Sequence, residues 1–159
     1  MFELQLEQLS QHFVRNNWRL VSAESCTGGL LAASVTSLAG SSDWFEGAFV
    51  TYRLTAKTRF LGVQPATLRH HGAVSEPVAR EMAQGALARS DADISVAITG
   101  LAGPSGGEPL QPVGTVWFAW CDVNGLIQAQ AHVFAGTRAQ VRERAVATAL
   151  DGLLRLFDE

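Results

Sequence analysis

The stretch Arg19-Leu20-Val21-Ser22-Ala23-Glu24-Ser25-Cys26-Thr27-Gly28-Gly29, continuing through Leu30 to Gly40, decides the fold class. Arg19 to Ala23 is short, apolar and partly β-branched, and it runs straight into hydroxyls and paired glycines, as a strand does when it ends in a tight turn. Small apolar residues fill Leu30 to Ala39, and Gly40 supplies a helix stop. Strand, turn and buried helix in that order form the unit of an α/β protein.

Working outward, Leu4, Leu6, Leu9, Phe13 and Val14 fall close to helical spacing and predict an amphipathic helix over 3–16. Residues 46–52 read as a second strand and 54–62 as a short helix closed by Gly62. Ser75-Glu76-Pro77 starts a helix reaching about Ala88, with Ser75 as its cap and Pro77 in its first turn. Asp93 to Thr99 and Val113 to Val123 have the composition of buried strands, and Asn124-Gly125 predicts a two-residue hairpin turn into a strand over 126–134. Gly136-Thr137 opens a last helix with Val141, Ala145, Ala149, Leu150, Leu153 and Leu154 facing inward. The expected fold is a single domain over 1–159, a three-layer α/β/α sandwich with a mixed β-sheet that includes an antiparallel hairpin.

Composition narrows the function. The chain has 159 residues, 47% hydrophobic and 17% charged, which suits a compact soluble protein rather than a disordered one. Its formal charge of -3 and scattered basic residues lack the electrostatic footprint of a nucleic-acid binder. No apolar run approaches the roughly 20 residues of a membrane span, and the first residues do not read as a secretory signal, so the expectation is cytoplasmic, without membrane contact. Cys26 and Cys121 have no CxxC or CxxH partner, so no zinc site is expected; His70-His71 is the single histidine pair and reads as solvated.

The basic residues themselves are informative. Of the 12, only Lys57 is a lysine, and it stands five positions after Tyr52, the only tyrosine. Arginine stays protonated, whereas a desolvated lysine can lose its proton and serve as a base. Ser25, Cys26, Thr27 and Gly28 lie in the strand-to-helix turn, where a hydroxyl could act as nucleophile and main-chain N–H groups could receive an oxyanion. The same hydroxyls also suit a plain helix cap. Lys57 or Tyr52 could take the proton of such a hydroxyl, against the alternative of an exposed lysine and a core tyrosine.

A glycine-rich loop follows the strand ending at Thr99. Gly100, Gly103, Gly106 and Gly107 could cradle a phosphate or carboxylate beyond the carboxyl end of the sheet, or could simply bend the chain. Arg138 and Arg142, one turn apart at the start of the last helix, could bind phosphate, whereas Arg144 reads as a solvated charge. Trp117 and Trp120 read as core and edge aromatics. Glu76 suits either a reciprocal cap with Ser75 or a place in the site.

Taken together and in order, these motifs resemble the CinA C-terminal domain family of nicotinamide-nucleotide amidases. The likeness rests on AESCTGG at 23–29, AGSSDWFEGAFVTY at 39–52, AK at 56–57, HGAVSEPVA at 71–79, TGLAGPSGG at 99–107 and PVGTVWFA at 112–119. It implies deamidation of nicotinamide mononucleotide in pyridine-nucleotide recycling without a cofactor, and it resembles the stand-alone form rather than the larger members. It places the nucleophile at Ser25, its partners at Tyr52 and Lys57, a strand-end hydroxyl at Thr99 and a signature arginine at Arg138. The family also implies a homodimer. Two departures, Arg53-Leu54 after the tyrosine and Thr137 before the arginine, bear on substrate fit. The rival expectations are a catalytically silent nucleotide-binding or regulatory module, and a DNA-uptake protein, which the acidic charge disfavours.

Overall fold

The computed structural model describes residues 1–158. In chain order the elements are α1 (Glu3–Asn16), β1 (Leu20–Glu24), α2 (Leu30–Thr36), a 3-10 turn (Ser41–Asp43), β2 (Phe45–Val50), α3 (Leu54–Leu61), α4 (Pro65–His71), α5 (Glu76–Ala88), β3 (Ile94–Gly100), β4 (Thr115–Asp122), β5 (Ile127–Val133) and α6 (Arg138–Phe157).

The five strands form one sheet in the order β2-β1-β3-β4-β5. β1 runs parallel to β2 and β3, while β3, β4 and β5 alternate antiparallel, so the mixed sheet with its hairpin is as the sequence predicts. Side chains alternate between faces along each strand. Leu20, Ile94, Val96, Ile98, Val116, Phe118 and Trp120 share one face with buried residues of α1, α2 and α6. Val21, Ala23, Ala97, Ala119 and Cys121 pack on the other face against Leu61 of α3 and Val78, Ala79, Met82, Ala83 and Ala86 of α5. Small residues on both sides of that second interface let helix and sheet approach closely. On the first face, α6 presents Gly152 to the indole of Trp120, where a Cβ would come within 2.1 Å of a ring carbon. Trp120 Nε1 donates to the Ala149 carbonyl at 3.2 Å, which satisfies the one polar atom of an otherwise buried side chain.

Four local expectations need correction. α2 ends at Thr36 rather than near Ala39, because the Ser34, Thr36 and Ser37 hydroxyls donate back to main-chain carbonyls of the same helix and compete with its ladder. α4 is an additional helix, with Pro65 in its first turn and Arg69, His70 and His71 in its last. The β4–β5 turn spans four residues, 123–126; Gly125 has a positive φ and Asn124 does not, and Asp122 Oδ1 accepts from the N–H groups of Asn124 and Leu126. Ser75 stands at the N-cap of α5, yet its hydroxyl donates to the Gly72 carbonyl instead of capping, and Glu76 pairs with Arg80 at 2.9 Å.

The topology places chemistry at one edge. β1, β2 and β3 are parallel and β5 shares their direction, so the turns after all four emerge together beyond the carboxyl ends, where open α/β sheets bind ligands. Among the described residues no helix is long and apolar enough to cross a membrane.

Candidate active site

The turn that carries Ser25 is built from Glu24. As the last residue of β1 it points to the α2 face, fully buried. Its Oε1 accepts from the Thr27 hydroxyl at 2.7 Å and from the N–H groups of Gly29 and Leu31 at 3.2 and 2.9 Å, and its Oε2 accepts from Ala32 N–H at 3.1 Å. A carboxylate thus satisfies the free N–H groups at the start of α2 and complements its dipole. That helix terminus is therefore not open to a substrate anion. Gly28 N–H donates to the Ser25 carbonyl at 3.0 Å, closing one turn, and Gly28 at φ 56° then carries the chain into α2.

β2 and α3 bring in the amine. Lys57, on the buried side of α3, is 1% exposed. Its Nζ donates to Ser25 Oγ at 2.9 Å, to the Thr51 carbonyl at 2.7 Å and to the Tyr52 carbonyl at 3.1 Å. Among the described residues it pairs with no carboxylate. Burial therefore drives its pKa down from an ordinary 10.5 to about 8, slightly opposed by Cys26. When the amine is neutral, two N–H groups can still meet the two carbonyls, leaving the lone pair for the hydroxyl proton of Ser25. The neighbouring Cys26 thiol is held at about 11, mainly by burial, and so stays protonated at neutral pH.

Ser25, Cys26, Tyr52, Lys57, Thr99, Gly100, Gly103 and Arg138 line one cavity of about 250 Å³, together with Ala73, Val74, Leu101, Ala102 and Ser105. Other sequence candidates lie outside that lining. Thr27 is buried against Glu24, Gly28 turns the chain, and Gly106 and Gly107 belong to the outer part of the loop. Arg142 donates from Nε to the Cys26 carbonyl at 3.1 Å and from Nη2 to the Thr27 carbonyl at 2.9 Å, so the edge that would grip a phosphate is occupied by main chain. Thr99 donates its hydroxyl to the Ala73 carbonyl at 2.8 Å, anchoring the turn before α5.

Tyr52 also differs from expectation. Its contribution to Lys57 is the main-chain carbonyl, whereas its phenol, on a side chain 59% exposed, accepts from Arg138 Nη2 at 2.9 Å. Arg138 Nη1 donates to the Gly103 carbonyl at 2.7 Å, so one guanidinium ties the phenol to the glycine loop at the cavity mouth. Thr137 caps α6, accepting from Gln140 N–H at 3.2 Å while Gln140 returns a bond to Thr137 N–H at 2.9 Å. His70 and His71 are exposed at the end of α4, away from this cavity.

The sequence description of the CinA C-terminal domain matches residues 3–157. The chain belongs to the CinA C-terminal domain family. Within it, the chain is 48% identical over 151 residues to nicotinamide-nucleotide amidohydrolase PncC of Escherichia coli K12, covering 95% of this chain and 92% of that protein. It is 47% identical over 152 residues to PncC of Pseudomonas putida, covering 96% and 94%. A CinA-like protein of Akkermansia muciniphila is 46% identical over 143 residues, 90% of this chain and 34% of that longer protein. A crystal structure of a competence-damaged protein (CinA) superfamily member from Escherichia coli superposes with a TM-score of 0.93 at 44% identity, covering 98% of this chain and 90% of that one. The mixed five-stranded α/β architecture is thus that of the family.

Proposed function

We propose that this protein hydrolyses the carboxamide of nicotinamide mononucleotide to nicotinic acid mononucleotide and ammonia. The observation that carries the reading is the 2.9 Å contact between Ser25 Oγ and a buried Lys57 whose pKa has fallen to about 8, in a chain about half identical to proteins named for this activity. With Lys57 neutral, its lone pair takes the Ser25 proton as Oγ attacks the amide carbon. The N–H groups of Cys26 and Thr27, for which no acceptor is found among the described residues, are the donors this reading assigns to the developing oxyanion. Protonated Lys57 then donates to the departing nitrogen, releasing ammonia and leaving an ester on Ser25. Water, deprotonated by the same amine, cleaves that ester and regenerates Ser25.

A cavity of about 250 Å³ is smaller than a usual ligand site of roughly 300–1,000 Å³. It suits the pyridine carboxamide head, with the ribose phosphate toward the mouth, where Arg138 keeps donors beyond those it spends on Tyr52 and Gly103. Binding of the phosphate there aligns the amide against Ser25. Ammonia and acid are assayed with nicotinamide mononucleotide, nicotinamide riboside and free nicotinamide. The expected order of kcat/KM places the mononucleotide first; saturable binding of all three with no ammonia from any would instead make the chain a silent binding module.

A further inference from the structure

Arg142 is the one candidate arginine that the cavity does not use. It reaches from the second turn of α6 to the turn that carries Ser25, and donates to two successive carbonyls, Cys26 at 3.1 Å and Thr27 at 2.9 Å. It is half-buried and, among the described residues, pairs with no carboxylate. Its partners are main-chain dipoles alone.

The peptides of this turn are trans, so each N–H points opposite the carbonyl of the same planar unit. The Cys26 carbonyl and the Thr27 N–H belong to one such unit, and holding the first fixes the aim of the second. The Ser25 carbonyl, held by Gly28 N–H at 3.0 Å, fixes the Cys26 N–H in the same way. The turn is in effect a short helical segment whose carbonyl end faces a guanidinium and whose N–H end leaves the Cys26 and Thr27 groups without an acceptor among the described residues. A cation at the carbonyl end complements the segment's dipole, and a hydrogen bond to a peptide oxygen strengthens the donor at its other end. Glu24 clamps the opposite flank through the Thr27 hydroxyl and Gly29 N–H.

On the reading of this cavity as an amidohydrolase site, we propose that Arg142 is a positioning residue: it orients and polarises Thr27 N–H through the Cys26 carbonyl, supports Cys26 N–H through the Thr27–Gly28 peptide whose N–H holds the Ser25 carbonyl, and takes no part in holding the nucleotide phosphate. Its effect should appear in the transition state and not in ground-state binding.

The test uses the full chain as wild type, Arg142→Ala and Arg142→Lys, with ammonia release from nicotinamide mononucleotide at several pH values. Deleting an oxyanion donor outright costs about 10²–10³ in kcat, so loss of its alignment in Arg142→Ala should cost about 10- to 100-fold. KM should stay within about threefold, and the pH at which activity switches on should not move. Millimolar guanidinium should restore part of the lost kcat in Arg142→Ala and leave the wild type unchanged. A raised KM with kcat retained would make Arg142 a phosphate ligand and overturn the proposal. So would a kcat loss that only tracks the folded fraction. If Arg142→Ala does not fold, Arg142→Lys, which can hold one carbonyl but not both, is judged by the same criteria. A wild type that releases no ammonia defeats the activity reading alone. The amide proton shift of Thr27 then decides: it should move upfield in Arg142→Ala, or in Arg142→Lys where the alanine variant does not fold, and an unchanged shift would overturn the proposal.

Discussion

On the proposed mechanism, raising the pH from 7 to 9 should raise kcat/KM of the wild-type chain about tenfold, because the neutral form of Lys57 that would act as base is its minority form at neutrality. With a pKa of about 8, the neutral amine makes up about 9% of the protein at pH 7 and about 91% at pH 9. An ordinary lysine at 10.5 would be neutral in only about 0.03% of molecules at pH 7, so burial enriches the base roughly 300-fold. A nucleotide phosphate, with a second pKa near 6, is almost fully dianionic across this window and contributes little of its own. The assay is ammonia release at subsaturating substrate and constant ionic strength. A profile flat between pH 7 and 9 would refute Lys57 as the base, and one still climbing about tenfold between pH 8.5 and 9.5 would refute the lowered pKa. Stability carries the same signature. Lys57 gives up its proton near 8 in the folded chain and near 10.5 in the unfolded one, so between those values the unfolded chain holds more protons and folding gains with rising pH. Relative to Lys57→Met, the wild type should gain about 2 kcal/mol between pH 8 and 9.5, read from urea unfolding.

Tyr52→Phe removes the acceptor of Arg138 while leaving the main-chain carbonyl that meets Lys57; KM should rise several-fold with kcat largely kept, and a collapse of kcat would put the phenol in the proton path. Glu24→Gln exchanges a carboxylate that accepts three main-chain N–H groups for an amide that can accept fewer, and should cost about 1–3 kcal/mol in denaturant unfolding together with a fall in kcat; full stability would show that the cap is dispensable. Gly152→Ala drives a methyl into the Trp120 indole and should destabilise by about 1–3 kcal/mol, with activity unchanged once folded; a wild-type melting temperature would mean that α6 shifts freely there.

The architecture was legible because its signals are local. Continuous buried runs along β3 and β4, the glycine stop at Gly62 and hydrophobic spacing along α6 are each written within a dozen residues. Ser25 and Lys57 were also legible, one from its turn and the other from being the lone lysine, and the structure brings them to 2.9 Å. α4 carries a first-turn proline and a basic last turn, and both signals stood in the sequence. Glu24 was harder. Its role depends on β1 being covered by α2 and flanked by two strands, so a carboxylate that looks exposable in the sequence is fully buried in the fold. The bonds of Arg142 were not legible either: helical spacing puts it near Arg138, but only the packing of α6 against the Ser25 turn shows that its donors go to main-chain carbonyls. For Arg142 the missing information was contact between residues more than a hundred positions apart; the Glu24 carboxylate bonds only within eight positions, and what the sequence did not show was its burial.

The most direct measurement is ammonia release by Ser25→Ala at a nucleotide concentration that calorimetry shows to fill its cavity. Binding should persist while turnover falls by at least about a thousandfold, as expected when a covalent nucleophile is removed. Ammonia released from the filled Ser25→Ala protein at near the wild-type rate would contradict attack by that hydroxyl.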